Sequence, residues 1–141
     1  MLEINLSEKD IDSVDDYDYQ IMQDKEEPYL NIYVVLTEEA VEMLAKETGL
    51  LEKNGFSDMK AAECTDFQIN VYANITEDRK VSLSVTDNGE NEVILDNLSE
   101  DFASAILDKT DEMLERNNSS VQREFEYHRE YEKSENEVEL L

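Results

Sequence analysis

The strongest constraint on what this chain can fold into is a run of apolar residues at every second position. In DFQINVYANI, residues 66–75, Phe67, Ile69, Val71, Ala73 and Ile75 alternate without a break. A strand turns successive side chains to opposite faces, so this pattern buries one face of a sheet and leaves the other polar. A TEDR turn follows, and KVSLSVT resumes the alternation at Val81, Leu83 and Val85. Two such runs joined by a short polar turn predict an antiparallel hairpin. Asp87-Asn88-Gly89 forms the next turn signal, and EVIL, residues 92–95, returns as a third strand, completing a meander over 66–95.

Upstream, YLNIYVVL (29–36) is a further strand. Leu30, Ile32, Val34 and Leu36 share one face; Tyr29, Asn31, Tyr33 and Val35 share the other. Thr37 then caps a helix with Glu38 and Glu39 in its first turn, where the helix dipole favours acids. Ala40, Val41, Leu44 and Ala45 form its buried stripe, and Gly49 ends it. Residues 50–65 read as a loop anchored by Leu50, Leu51 and Phe56. Ser99 caps a helix running to about Arg116, with Phe102, Ile106, Met113 and Leu114 on its apolar side. NNSS, 117–120, breaks it, and a last helix is expected from about Ser120 towards Lys133, with 134–141 frayed.

The N-terminus is expected to contribute a short strand at Leu2, Ile4 and Leu6, then a helix. Ser7 and Asp10 have the spacing of a capping box, and Ile11, Val14 and Tyr17 or Asp18 follow at helical spacing. The expected fold class is therefore α+β: an antiparallel sheet of about 4–5 strands with helices packed on one face. At 141 residues, with 40% hydrophobic residues, the chain makes one domain, residues 1–141, whose first 28 residues form an acidic segment.

Charge then excludes whole function classes. Acidic residues number 37 against 12 basic ones, a net charge of −25, and the excess runs through the whole chain. No Lys/Arg cluster exists to neutralise phosphates, so direct nucleic-acid binding is not expected. An anionic membrane would repel the chain for the same reason. Residues 1–30 lack a basic n-region followed by an apolar run, which predicts no signal peptide and a cytoplasmic setting. A basic protein, by contrast, would be attracted and steered in.

Candidate chemistry is sparse. Asp10, Asp12, Val14, Asp16 and Asp18 alternate as in a calcium loop, yet a valine fills a ligand position and the sixth-position glycine and twelfth-position glutamate are missing. The lone histidine, His128, shares a helical side with Val121 and Phe125 and reads as a packed imidazole. Cys64 stands alone, so neither an intramolecular disulfide nor a thiolate zinc site is expected. The three glycines are isolated and cannot cradle a phosphate. No cofactor, metal site or catalytic residue is expected, and the chain is read as non-enzymatic.

What remains is arrangement. Asp12, Asp15, Asp16 and Asp18 interleave with Tyr17 and Tyr19, an amphipathic combination common at contact surfaces. Tyr29 and Tyr33 extend the aromatic set, or else pack beneath a helix. On the 99–116 helix, Asp101, Asp108, Asp111, Glu112 and Glu115 gather opposite Phe102, Ile106 and Met113. The like-charged pairs Asp108/Glu112 and Asp111/Glu115, four residues apart, each cost about 0.2–0.5 kcal/mol. A helix shaped for stability alone would place lysines there. On the last helix, Glu126, Arg129, Glu130 and Lys133 mix signs as an ordinary solvated face does.

Duplex DNA carries one charge per about 1.7 Å, so this net charge matches on the order of 40 Å of duplex. A domain of this size has a radius of gyration of roughly 14 Å. In composition the chain resembles the acidic anti-restriction and anti-CRISPR inhibitors of phages and mobile elements that mimic nucleic acid. That resemblance implies a protein that blocks a basic surface of a nucleic-acid-binding protein or nuclease. The partner-contact residues would be Asp12, Asp15, Asp16, Tyr17, Asp18, Tyr19, Asp101, Asp108, Asp111, Glu112 and Glu115. The alternatives are an immunity protein or acidic adaptor for a basic partner, and a small carboxylate- or metal-dependent enzyme.

Overall fold

Five strands follow one another in the sheet in chain order, each antiparallel to the next. They are β1 (Ile11–Met22), β2 (Tyr29–Leu36), β3 (Ile69–Thr76), β4 (Val81–Asp87) and β5 (Asn91–Leu95). The computed structural model describes residues 5–22, 27–63, 67–87 and 90–139. Met1–Ile4 of the expected first strand, Cys64, the Asn88-Gly89 turn residues and the two C-terminal leucines lie outside that set. The fold class is α+β, as the alternation predicts.

Register explains the layering. Ile32 faces Ala73, Ala73 faces Leu83 and Leu83 faces Leu95; in the next row Val34, Val71, Val85 and Val93 align. These rows point to one side, and the helices cover them. Leu44 of α1 (Glu38–Glu47), Leu50 of α2 (Leu50–Lys53), Phe102, Ile106 and Leu114 of α4 (Glu100–Glu115) and Phe125 of α5 (Val121–Glu139) join the same core. The region expected to be a loop contains α2 and α3 (Met59–Glu63). Ala45, Leu51 and Ala62 form a small second core there, flanked by Phe56 and Phe67, whose rings meet edge-on at 5.6 Å.

Helix boundaries follow local chemistry. The Thr37 hydroxyl accepts from the Ala40 N–H at 3.3 Å and the Ser99 hydroxyl from the Phe102 N–H at 3.2 Å, each supplying one orphan donor with an acceptor. Gly49, at φ 78°, takes the left-handed conformation that ends α1. Asn118, at φ 58°, does the same beyond α4, and α5 begins at Val121 and continues past Lys133 to Glu139.

The N-terminal expectation is overturned. Ser7 and Asp10 do pair, the Ser7 N–H donating to Asp10 Oδ2 at 2.9 Å, but they frame a single 3-10 turn, Glu8–Asp10. Asn5 and Leu6 are not in a strand, and the acidic stretch is the edge strand β1. The apparent helical spacing is produced by bulges. Ile11 pairs with Leu36 and Ser13 with Val35, so Asp12 is an extra residue, and Ile11 and Val14 reach the same core face three positions apart. Between Asp15↔Tyr33 and Gln20↔Asn31, four residues of β1 oppose Ile32 alone, which returns Ile21 to the core face opposite Leu30.

Candidate functional site

The outward side of α4 begins where the N-terminus docks on it. The Ser99 hydroxyl that caps the helix also donates to the Leu6 carbonyl at 3.0 Å, and the Glu8 N–H donates to Asp101 Oδ2 at 3.3 Å. The 3-10 turn thereby sets Glu8 beside Asp101. Phe102, Ile106, Thr110, Met113 and Leu114 fix the rotation of the helix by their burial, which leaves Asp101, Asp108, Glu112 and Glu115 exposed. Glu8, Asp101, Asp108 and Glu112, together with Ser104, Ala105 and Lys109, line an open groove of about 350 Å³.

Ion pairing does not neutralise this side. The described ion pairs are Lys46–Glu42, Arg79–Asp111, Lys80–Asp78 and Arg129–Glu77. Among the described residues, Asp108, Glu112 and Glu115 have neither an ion pair nor a side-chain hydrogen bond. Their carboxylates face water at a standing coulombic cost.

Asp111 belongs to a different arrangement. Its Oδ1 accepts from the Val121 N–H at 2.9 Å and its Oδ2 from the Arg79 guanidinium at 3.3 Å. Half-buried, it caps α5 and ties the β3–β4 turn to the helical layer. Glu8 is the residue that sequence reasoning missed; the Ser7/Asp10 capping signal was the available clue to its fixed position.

The β1 candidates do not join the α4 groove. Asp12 is exposed at the first bulge, and Asp15 is exposed opposite Tyr33, on the sheet face that the helices leave open. Asp16, Tyr17, Asp18 and Tyr19 are the four residues of the second irregularity in β1. Tyr33 does not pack beneath a helix; it meets Tyr72 of β3 on the open face, the rings 5.5 Å apart at 69°.

Among the described residues, one carboxylate is buried. Asp87, 1% exposed at the end of β4, accepts from Asn54 Nδ2 at 2.6 Å, from Asn91 Nδ2 at 2.9 Å and from the Asn91 N–H at 2.7 Å. Burial pushes its pKa up, but the hydrogen bonds from Asn54 and Asn91 outweigh it and hold the carboxyl below the ordinary value of 3.8. All of its partners are internal, so it locks the β4–β5 turn to the end of α2. His128 is half-buried on α5. Among the described residues, no group of three or more His, Cys, Asp or Glu is placed to hold a metal ion. Among the same residues, no helix is long and apolar enough to cross a membrane.

No family model matches the chain, and neither the curated proteins nor the solved structures give a match.

Proposed function

We propose that this protein is a non-enzymatic inhibitor that occupies a basic, nucleic-acid-binding surface of a partner protein, its carboxylates standing in for phosphates. The observation that carries this reading is the outer side of α4. Three acids, Asp108, Glu112 and Glu115, lie on one side of a well-anchored helix without an ion-pair partner among the described residues. Glu8 and Asp101 extend the same surface.

The arrangement fits recognition rather than stability. Like charges four residues apart destabilise a helix, and a groove lined by four acids against a single lysine focuses a negative field on an approaching partner. Rigidity adds to this: the helix rotation is fixed by six buried residues, so the backbone that carries the carboxylates needs no ordering on binding. The net charge of −25 supplies long-range attraction to a basic groove and repels nucleic acid itself.

Capture from a host lysate at low and high salt, with duplex DNA as competitor, tests the reading. The expected result is a basic, nucleic-acid-binding partner that DNA displaces and that salt releases. A partner retained equally at both salt concentrations and indifferent to DNA would contradict it.

A further inference from the structure

The side of the sheet away from the helices carries a second, chemically distinct surface. A single register row crosses all five strands: Asp15 opposes Tyr33, Tyr33 opposes Tyr72, Tyr72 opposes Ser84 and Ser84 opposes Ile94. With strands about 4.8 Å apart, the row is about 19 Å long. A face that meets only water is expected to be polar along such a row. Here its centre is the edge-to-face pair Tyr33–Tyr72, half-buried, and its end is Ile94, 44% exposed. Ile94 and Tyr127 are the large hydrophobic side chains left exposed among the described residues.

Charge flanks the aromatic centre, and within the five strands it has one sign. Asp15 lies beside Tyr33, and Glu92, which accepts the Ser84 hydroxyl at 2.8 Å, lies at the Ile94 end. None of the five strands contains a lysine or an arginine. We infer that this face docks a protein segment presenting arginine side chains, whose guanidinium planes lie on Tyr33 and Tyr72 and fork to Asp15 and Glu92.

The chemistry discriminates among possible occupants. An aromatic sheet face can stack nucleobases, but the phosphates that come with them meet a net charge of −25 and a sheet with no cation. A second copy of the chain would set Asp15 and Glu92 against the same acids. Lysine satisfies the charge alone; arginine satisfies the charge, the planar stacking and the bidentate geometry together. This surface lies across the sheet from α4, so the inference goes beyond the function proposed above and stands or falls separately from it.

The test is a titration of the ¹⁵N-labelled full chain with an octa-arginine peptide and, in parallel, with octa-lysine. Amide shifts at Asp15, Tyr33, Tyr72, Ser84 and Ile94 are expected, with arginine bound about tenfold more tightly than lysine, the order of one or two guanidinium–aromatic contacts. Asp15→Lys combined with Ile94→Lys changes two exposed residues, and its spectrum reports directly whether the fold is kept. It should weaken octa-arginine about tenfold. Tyr72→Phe, which keeps the ring, should bind as the wild type does, whereas neutralising Asp108, Glu112 and Glu115 should leave the row's shifts in place. Equal affinity for the two peptides, or shifts confined to α4, would overturn the inference. So would a single-stranded oligonucleotide that shifts the row, or shifts that follow protein concentration without peptide. If the α4 reading alone is wrong, lysate capture fails its salt and DNA criteria while this titration still succeeds.

Discussion

The β4–β5 turn and the outer side of α4 use the same chemical group in opposite ways. At the turn, Asp87 is buried and its carboxylate accepts three hydrogen bonds from Asn54 and Asn91. On α4, Asp108, Glu112 and Glu115 are exposed, and among the described residues nothing bonds to them. Asp111, one helical step away, shows that α4 can place an acid where the fold needs it, since it caps α5 and pairs with Arg79. The lesson is that this fold draws on carboxylates for structure at particular points. The outer α4 acids are not among those points, so their clustering needs an explanation outside stability.

Mutations at the two places should therefore diverge in sign, and the largest effect lies at the turn. Asp87→Ala removes a buried carboxylate that accepts three charge-assisted hydrogen bonds, and should cost about 3 kcal/mol in denaturant unfolding. Because hydrogen bonding depresses the folded-state pKa of Asp87, its contribution is present above the unfolded carboxylate value. It is lost as pH falls through the folded value, in the window below about pH 4. Asp87→Ala should accordingly flatten the acid limb of the stability profile. An unchanged limb would remove Asp87 from the structural side of the comparison.

Asp111→Ala should cost less, about 1–2 kcal/mol, the range for losing a helix cap. Its signature is local: faster hydrogen exchange at the first amides of α5, with β4 and β5 protected as before. Glu115→Lys should have the smallest effect on stability and the opposite sign. Its charged neighbours three and four positions away, Glu112 and Asp111, are both acids, so the substitution replaces repulsion by attraction and should stabilise the fold by about 0.2–0.5 kcal/mol while weakening partner binding. Destabilisation by Glu115→Lys would blur the distinction between the two regions. Added salt should raise the unfolding midpoint of the wild type, because it screens the self-repulsion of −25 charges.

Much of this was legible in the sequence where a single period governs a segment. The alternation in 66–75 and 81–85 defines β3 and β4, and Thr37 and Ser99 mark the starts of α1 and α4 as capping chemistry predicts. The acidic side of α4 follows from the same periodicity, because its apolar stripe fixes the rotation. The failure lies at β1. Ile11, Val14 and Ile21 are three and seven positions apart, the spacing of a helix, yet bulges at Asp12 and at Asp16–Tyr19 produce it in a strand. Bulges depend on the partner strand β2, which no local pattern reveals. The structural role of Asp111 is hidden for a related reason: it lies on the acidic side of α4 by angle, but Arg79 and the start of α5 reach it only in three dimensions. The Tyr33–Tyr72 pair likewise needs the β2–β3 register to bring its rings together.

The most direct test of the central claim compares two neutralised variants against the basic partner captured at low salt. One carries Asp108→Asn, Glu112→Gln and Glu115→Gln; the other removes three exposed acids elsewhere, through Glu52→Gln, Glu126→Gln and Glu130→Gln. Binding constants measured across a salt series give the slope of log affinity against log salt for each. The α4 variant should bind more weakly with a shallower slope, and the control should keep close to the wild-type affinity and slope. Equal losses in the two variants would mean that total charge, not the α4 surface, governs binding, and would contradict the account.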